Sequence, residues 1–300
     1  MAGKSIFIST HDGLRLHVCE RGVGIAAHVP VVCLPGLTRT VADFESLLPV
    51  LAHTRRVIAI DSRGRGQSDY DPNPQNYNLA IELADVLTVL SALAIGPAVF
   101  VGSSRGGILT MMLAAADPIA IAGAVLHDIG PVIELEGLER IKGYVGKLPS
   151  PRSFAEGAEI LRVLFGPQFP KLETDDWLAA ARRSWKLECG MLFPTYDVRL
   201  AEALAKTDSA QPLPALWTEF DALGHVPVLV IRGALSDLLS AATVAEMQAR
   251  HPGMQLIEVP DQGHVPLLGG DIIQSIIKFV ASCDPNELGS CSNQNSVQRT

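Results

Sequence analysis

Two kinds of segment alternate along the first 130 residues. Short apolar runs rich in β-branched residues (VPVVCLP, VIAI, AVFVG and AGAVLH) carry no charged residue in their interior. Such runs are typical of strands that are buried on both faces. Between them, apolar residues recur at helical spacing, and the predicted helices are Val41–Leu51, Leu79–Leu93 and Arg105–Ala116. This alternation predicts a parallel sheet between two layers of helices.

The two ends of the chain extend this pattern. The segments SIFIST and LRLHVCE flank Asp12-Gly13, which predicts an antiparallel hairpin at the start. Beyond residue 224, strands VPVLVIRG and MQLIEVP alternate with predicted helices Ala241–Arg250 and Leu267–Val280. The last stretch, ELGSCSNQNSVQRT, is polar and without periodicity.

The strand pattern stops between residues 131 and 223, where proline, tryptophan, phenylalanine and charged residues become frequent. This region predicts a helical insertion. We therefore expect an α/β core domain made of residues 1–130 and 224–282, a helical insertion at 131–223, and a flexible tail at 283–300.

The charge and cysteine content narrow the classes of function. The formal net charge is −8 over 300 residues, and the basic residues form no cluster, so nucleic acid is not an expected partner. The five cysteines show no C-x-x-C spacing, and the N-terminus lacks the features of a secretory signal. These observations favour a reducing, cytoplasmic location and no metal site. They leave the oligomeric state open.

One uncharged stretch, residues 86–104, is long enough to resemble a membrane span. Gly96-Pro97 divides it into a helix-like and a strand-like part, so no transmembrane segment and no membrane partner are predicted. The glycines of Arg63-Gly64-Arg65-Gly66 fit neither a dinucleotide-binding nor a phosphate-binding loop. No cofactor is therefore predicted.

The most informative motif is Gly102-Ser103-Ser104-Arg105-Gly106, which fits G-x-S-x-G and lies between a predicted strand and a predicted helix. The sharp turn at this position strains the backbone of the serine and leaves no room for side chains at the two glycines. Ser104 is therefore the predicted nucleophile, whereas Ser103 should point elsewhere.

A serine nucleophile needs a general base and a carboxylate that orients the base. Among the eight histidines, His264 is the one that follows the last predicted strand, in a loop that contains Gly263. Asp237 follows the strand VPVLVI. The chain order Ser104, Asp237, His264 is the order of nucleophile, acid and base that accompanies a G-x-S-x-G motif between a strand and a helix. Asp128 also ends a strand and is the rival candidate for the orienting carboxylate. Its alternative role is structural, as a residue that caps a helix or turn at the start of the insertion.

Backbone N–H groups commonly stabilise the negative charge that develops on a carbonyl oxygen during acyl transfer. Two are predicted here. One belongs to Arg105, directly after the nucleophile, and the other to Leu37, in the turn Leu34-Pro35-Gly36-Leu37.

With these residues assembled, the chain resembles the esterase and C–C-bond hydrolase branch of the α/β-hydrolase superfamily over residues 5–282. Further matching segments are Asp61–Ser68 and Gly263-His264 with Pro266. The resemblance implies an α/β-hydrolase fold with a mostly parallel eight-stranded sheet, helices on both faces, and a helical cap inserted after the sixth strand. By this resemblance the cap covers the pocket. Its larger aromatic residues either line that pocket or pack the cap onto the sheet: Phe165, Trp177, Trp185, Phe193 and Trp217.

Hydrolysis of a carboxylic ester of small to medium apolar size, through an acyl-enzyme on Ser104, is the leading prediction. The alternatives are C–C bond hydrolysis of a diketone-like substrate, lactone hydrolysis or perhydrolysis, and a non-catalytic ligand receptor. The resemblance argues against haloalkane dehalogenase and epoxide hydrolase chemistry, which uses a carboxylate nucleophile. Arg105 departs from the family, where Met, Gln or Leu is common, and its side chain either binds a structural carboxylate or meets an anionic substrate group.

Overall fold

The computed structural model describes residues 3–25, 27–205 and 213–285. Eight of the strands found in these residues form one sheet, and two form a separate hairpin. The strands are β1 (Lys4–Ser9), β2 (Arg15–Arg21), β3 (Val31–Leu34), β4 (Val57–Ile60), β5 (Ala98–Ser103), β6 (Ile121–His127), β7 (Trp185–Glu188), β8 (Met191–Pro194), β9 (Val228–Gly233) and β10 (Gln255–Val259).

The order of strands in the sheet is β1-β2-β4-β3-β5-β6-β9-β10. Strand β2 runs antiparallel to both β1 and β4, and every other pair is parallel. The turn at Gly13, where φ is +87°, joins β1 to β2 as the Asp-Gly signal predicted. The predicted eight-stranded, mostly parallel sheet is confirmed.

The longer connections contain helices: α1 (Leu48–Leu51), α2 (Leu79–Ala92), α3 (Arg105–Ala116), α4 (Leu135–Tyr144), α5 (Phe154–Phe165), α6 (Thr174–Ser184), α7 (Leu200–Ala205), α8 (Trp217–Asp221), α9 (Ala241–Arg250) and α10 (Gly270–Ser282). The predicted helix at 41–51 is instead a 3₁₀ turn, Val41–Phe44, followed by the short helix α1. Pro49 lies in the first turn of α1, where its missing N–H costs nothing, but it prevents a continuous helix through this segment.

Apolar residues on the two faces of the sheet form two separate cores. In β3, Val32 and Leu34 pack with α2 and α3, whereas Val31 and Cys33 pack with α1 and α10. This alternation is the two-residue period of a strand that is covered on both sides. Of the helices that the structure describes, none combines the length and the hydropathy required to cross a bilayer.

The inserted segment, residues 131–223, carries α4 to α8 in its described part and has a small apolar core of its own around Leu161, Trp177 and Trp185. It also contains the antiparallel hairpin β7–β8, which the sequence analysis did not predict. Leu187, Met191 and Phe193 of this hairpin are exposed, so it lacks the buried runs that indicated the other strands. The predicted tail falls almost entirely on residues 286–300, which lie outside the described residues.

Candidate active site

Ser104 occupies the turn between β5 and α3 with φ 49° and ψ −116°, a left-handed conformation that is rare for residues with a side chain. The glycines on either side explain how the turn is possible. A Cβ added to Gly102 would lie 2.5 Å from the carbonyl oxygen of Gly106, and one added to Gly106 would lie 2.0 Å from the carbonyl oxygen of Leu34. The G-x-S-x-G spacing thus reflects close packing of α3 on β3 and β5.

His264 lies in the loop that follows β10, and its Nε2 is 2.8 Å from Ser104 Oγ. Its other ring nitrogen, Nδ1, is 2.8 Å from Asp128 Oδ2. Since Nδ1 donates to this carboxylate, Nε2 is free to accept the hydroxyl proton of Ser104. The three side chains, from the ends of three different strands, form the serine–histidine–carboxylate arrangement expected for nucleophilic catalysis.

The assignment of the orienting carboxylate to Asp237 is wrong, because Asp128 holds this position. Asp128 directly follows β6 and is completely buried. Its Oδ1 accepts a hydrogen bond from Gly233 N at 2.7 Å, and its Oδ2 accepts one from Ser236 Oγ at 2.6 Å. The end of β9 and the turn after it were predicted to supply the carboxylate, as Asp237. They instead supply the hydrogen-bond donors that hold Asp128.

Asp237 instead forms a two-bond ion pair with Arg140 of α4, with Nε–Oδ2 2.6 Å and Nη2–Oδ1 2.8 Å. Burial would raise the pKa of Asp237, but the hydrogen bonds and charge of Arg140 outweigh it and hold the pKa below its usual value. The pair connects the first helix of the inserted segment to the turn after β9.

The sequence did contain a signal for Asp128. Ser104 and Asp128 each come immediately after the last residue of a buried strand, so the strands themselves place them at the edge of the sheet. Asp237 lies four residues beyond the end of β9, and its position depends on how the intervening turn folds.

His127, the last residue of β6, is buried in the wall of the site. Burial lowers the pKa of His127, Asp128 opposes this effect and the nearby His264 adds to it, and the resulting pKa is about 4. The ring is therefore neutral near neutral pH. As a result, no second imidazolium competes with His264 for the carboxylate.

The two predicted oxyanion-hole residues lie beside the nucleophile. Arg105 is the first residue of α3, and the Gly36–Leu37 segment borders the cavity. A Cβ added to Gly36 would be 3.6 Å from the Cβ of Ser104, so this turn packs directly against the serine. Of the two alternatives for the Arg105 side chain, the structure favours the structural carboxylate: Arg105 Nε lies 2.6 Å from Glu82 Oε2.

A cavity of about 650 Å³ opens over Ser104 and His264. The inserted segment contributes much of its apolar wall: Leu161, Phe165, Phe169, Trp177 and Trp185. Of the remaining aromatic residues considered from the sequence, Trp217 packs on Phe220 and under Arg250, and Phe193 is partly exposed in β8.

Charged side chains occupy another part of the cavity wall. Arg39 binds Asp43 through Nε at 2.7 Å and Nη2 at 2.6 Å, and it binds Ser184 Oγ at 3.0 Å through Nη1. Arg183 lies 3.6 Å from the same carboxylate of Asp43. Glu45 and Asp176 also contribute to this wall. The charged residues of the wall therefore carry a net negative charge.

Comparisons with known proteins agree with this architecture. Residues 29–271 match the family model described as the alpha/beta hydrolase fold. The chain is 34% identical over 246 residues to a 3-hydroxybutyrate-oligomer hydrolase from Cupriavidus necator, covering 79% of this chain and 82% of that protein. It is 30% identical over 249 residues to a 2-hydroxymuconate semialdehyde hydrolase from a Pseudomonas species, covering 79% and 81%.

Among solved structures, an alpha/beta hydrolase from Novosphingobium aromaticivorans superposes with a TM-score of 0.88 at 41% identity, covering 93% of this chain and 99% of that chain. The match to the family model covers strands β3 to β10 and the inserted segment, and it includes Ser104, Asp128 and His264. The chain is a hydrolase that belongs to the α/β-hydrolase fold family.

Proposed function

We propose that this protein hydrolyses carboxylic esters through an acyl-enzyme on Ser104. The observation that carries the proposal is the continuous contact from Ser104 Oγ to His264 Nε2 and from His264 Nδ1 to Asp128, next to a largely apolar cavity. In this arrangement each group can perform its part of acyl transfer without rearrangement.

In the first half of the reaction, His264 Nε2 takes the proton of Ser104 Oγ while Oγ forms a bond to the carbonyl carbon of the ester. The carbonyl oxygen becomes negatively charged and accepts hydrogen bonds from the backbone N–H groups of Leu37 and Arg105. The ester C–O bond then breaks, and the leaving alcohol takes the proton from His264. Asp128 stabilises the imidazolium throughout.

In the second half, a water molecule gives a proton to His264 Nε2 and attacks the acyl carbon. The bond from that carbon to Ser104 Oγ breaks, Ser104 regains a proton from His264, and the carboxylic acid leaves. The inserted segment acts as a cap, since its apolar residues border the space above Ser104.

The cavity favours a neutral, apolar acyl chain of small to medium size. Its volume and the aromatic side chains from the inserted segment suit such a chain, and its charged wall is net negative. The similarity to a 3-hydroxybutyrate-oligomer hydrolase supports esters of short hydroxy acids as the first substrates to test. The similarity to a 2-hydroxymuconate semialdehyde hydrolase supports C–C bond hydrolysis of a vinylogous diketone as the second candidate.

The experiment has two parts. Labelling with a fluorophosphonate probe tests the nucleophile: wild-type protein should be labelled, and Ser104→Ala should not, whereas Ser103→Ala should be labelled like wild type. A substrate panel then compares 4-nitrophenyl esters of increasing acyl length, a 3-hydroxybutyrate trimer as free acid and as methyl ester, and a vinylogous diketone.

We expect turnover of the esters, with the neutral trimer ester preferred over the free acid. If the diketone is turned over rapidly and the esters are not hydrolysed, C–C bond hydrolysis becomes the assigned function in place of ester hydrolysis. A folded wild-type protein that resists labelling would contradict both.

A further inference from the structure

Glu82 of α2 is a fully buried carboxylate next to the nucleophile turn, with a relative exposure of 1%. Each of its oxygens binds a different guanidinium: Oε2 lies 2.6 Å from Arg105 Nε, and Oε1 lies 2.8 Å from Arg65 Nη1. Arg105 is the residue directly after Ser104, so one arm of this ion-pair network ends at the start of α3.

The other arm ends at the second predicted oxyanion residue. Arg65 donates through Nε to the carbonyl oxygen of Leu37 at 2.7 Å, and through Nη1 to the carbonyl oxygen of Arg63 at 2.6 Å. Glu82 is therefore connected through side chains to both Leu37 and Arg105. These are the residues whose backbone N–H groups would stabilise the oxyanion.

Such a network is a poor way to gain stability. Removing three charged groups from water is costly, and an apolar replacement of similar volume is often neutral or stabilising. In addition, Nη2 of Arg65 and Nη2 of Arg105 are buried without a hydrogen-bond partner in the described structure.

The network nevertheless keeps its charges. Burial opposes the ionised form of Glu82, but Arg105 and Arg65 outweigh it and lower the pKa of Glu82. Glu82 therefore stays ionised and keeps both guanidiniums bound by charge-assisted hydrogen bonds.

We propose that Glu82 is a positioning residue for the oxyanion hole, holding Leu37 through Arg65 and the first residue of α3 through Arg105. This inference rests on the proposed chemistry of Ser104. It assigns to the Arg105 side chain a role in shaping the site rather than in recognising an anionic substrate.

The same helix offers a matched control. Asp85, three residues after Glu82, is also buried and binds an arginine of the same loop: Arg63 Nε–Asp85 Oδ2 is 2.6 Å and Arg63 Nη2–Asp85 Oδ1 is 2.7 Å. The side chain of Arg63 also binds Asp12 and Asp71, and only the carbonyl oxygen of Arg63 contacts the Glu82 network, by accepting from Arg65. Replacing Asp85 thus disturbs a comparable ion pair without touching Leu37 or Arg105.

The test compares Glu82→Gln with Asp85→Asn by three measurements: the second-order rate of Ser104 phosphonylation by a fluorophosphonate, the kcat and KM of a 4-nitrophenyl ester, and the affinity for a boronic acid that forms a tetrahedral adduct. Removing one oxyanion donor costs about 10²-fold to 10³-fold in kcat, and misplacing donors should cost roughly 10-fold or more. For Glu82→Gln we expect a loss of this size in phosphonylation rate, kcat and boronic acid affinity, with KM almost unchanged. For Asp85→Asn we expect all of these close to wild type, even where the melting temperature falls.

Equal effects of the two variants, or wild-type phosphonylation of Glu82→Gln, would overturn the inference. If Glu82→Gln does not fold, Arg105→Met takes its place, and an unchanged phosphonylation rate in that variant has the same meaning. Absence of labelling in wild-type protein would instead contradict the proposed role of Ser104. The two failures are therefore distinguishable.

Discussion

Asp128 Oδ2 accepts hydrogen bonds from His264 Nδ1 at 2.8 Å and from Ser236 Oγ at 2.6 Å. The carboxylate is completely buried, and a bond from Gly233 N holds its other oxygen. Because three donors fix its orientation, the imidazole of His264 has one favourable position over Ser104.

This arrangement predicts different outcomes for the two candidate carboxylates. Asp128→Asn should lower kcat by roughly 10³-fold to 10⁴-fold, since an amide favours the wrong tautomer of the imidazole. Asp237→Asn should retain kcat within about 10-fold, because it does not contact the ring. Steady-state kinetics on a 4-nitrophenyl ester, with circular dichroism to confirm folding, decides between them. A larger loss in Asp237→Asn would contradict our assignment.

The pair of Asp237 and Arg140 should matter for stability more than for chemistry. The two side chains are 13% and 18% exposed, and they join α4 to the turn after β9. Arg140→Met should lower the free energy of unfolding by about 1–3 kcal/mol, because it leaves a largely buried carboxylate without its partner. Urea denaturation measures this change. The double variant Arg140→Met/Asp237→Leu should recover part of the loss, and no recovery would argue against the pair as the cause.

His127 should make the stability of the fold depend on pH. Its pKa falls from 6.5 to about 4 on folding, mainly through burial, so the unfolded chain binds more protons between these values. The free energy of unfolding is therefore unaffected by His127 above pH 6.5. It decreases as the pH falls from 6.5 to 4, by up to about 3 kcal/mol.

Urea denaturation at several pH values tests this dependence against the variant His127→Gln, which cannot titrate. The difference in unfolding free energy between the two proteins should change most between pH 6.5 and 4. A difference that stays constant over this interval would show that burial of His127 does not oppose its protonation.

Two glycine substitutions should have opposite effects. In Gly106→Ala the added methyl group would lie 2.0 Å from the carbonyl oxygen of Leu34, so α3 must move away from β3. We expect a loss of more than about 3 kcal/mol or failure to fold. In Gly143→Ala the methyl group meets no atom within 4 Å, and a helix stabilisation of about 0.5–1 kcal/mol is expected. Thermal unfolding of both variants measures the contrast, and a well-folded Gly106→Ala protein would contradict the close packing at the elbow.

The hydrophobic pattern within each segment explains which secondary-structure elements were predicted correctly from the sequence and which were not. Strand β3 was predicted because it is a continuous apolar run, and all four of its residues are buried, as expected for a strand covered on both faces. Helix α3 was predicted because a longer apolar segment follows the G-x-S-x-G motif, and most of its residues are also buried. Hairpin β7–β8 was missed because it pairs with itself and exposes Leu187 and Met191, so no buried run marks it. Helix α1 was predicted too long because the apolar pattern continues across Pro49.

The sequence by itself determined the fold family and the position of Ser104. The G-x-S-x-G spacing has one physical cause, a turn too tight for side chains at Gly102 and Gly106. All residues of this turn are close together in the sequence, so their spacing can be recognised without knowledge of the fold. His264 was also accessible to sequence reasoning, because it follows the last strand of the sheet.

Only the tertiary structure decided which carboxylate meets His264 and what Arg105 binds. Asp128 and Asp237 follow the neighbouring parallel strands β6 and β9, so both approach the same edge of the sheet. The choice between them depends on Arg140 of α4, which binds Asp237, and on Ser236, which binds Asp128. In the same way, Glu82 lies 23 residues before Arg105 in the chain and meets it only where α2 packs beside α3. Contacts between distant segments depend on how whole elements pack, which local spacing does not encode.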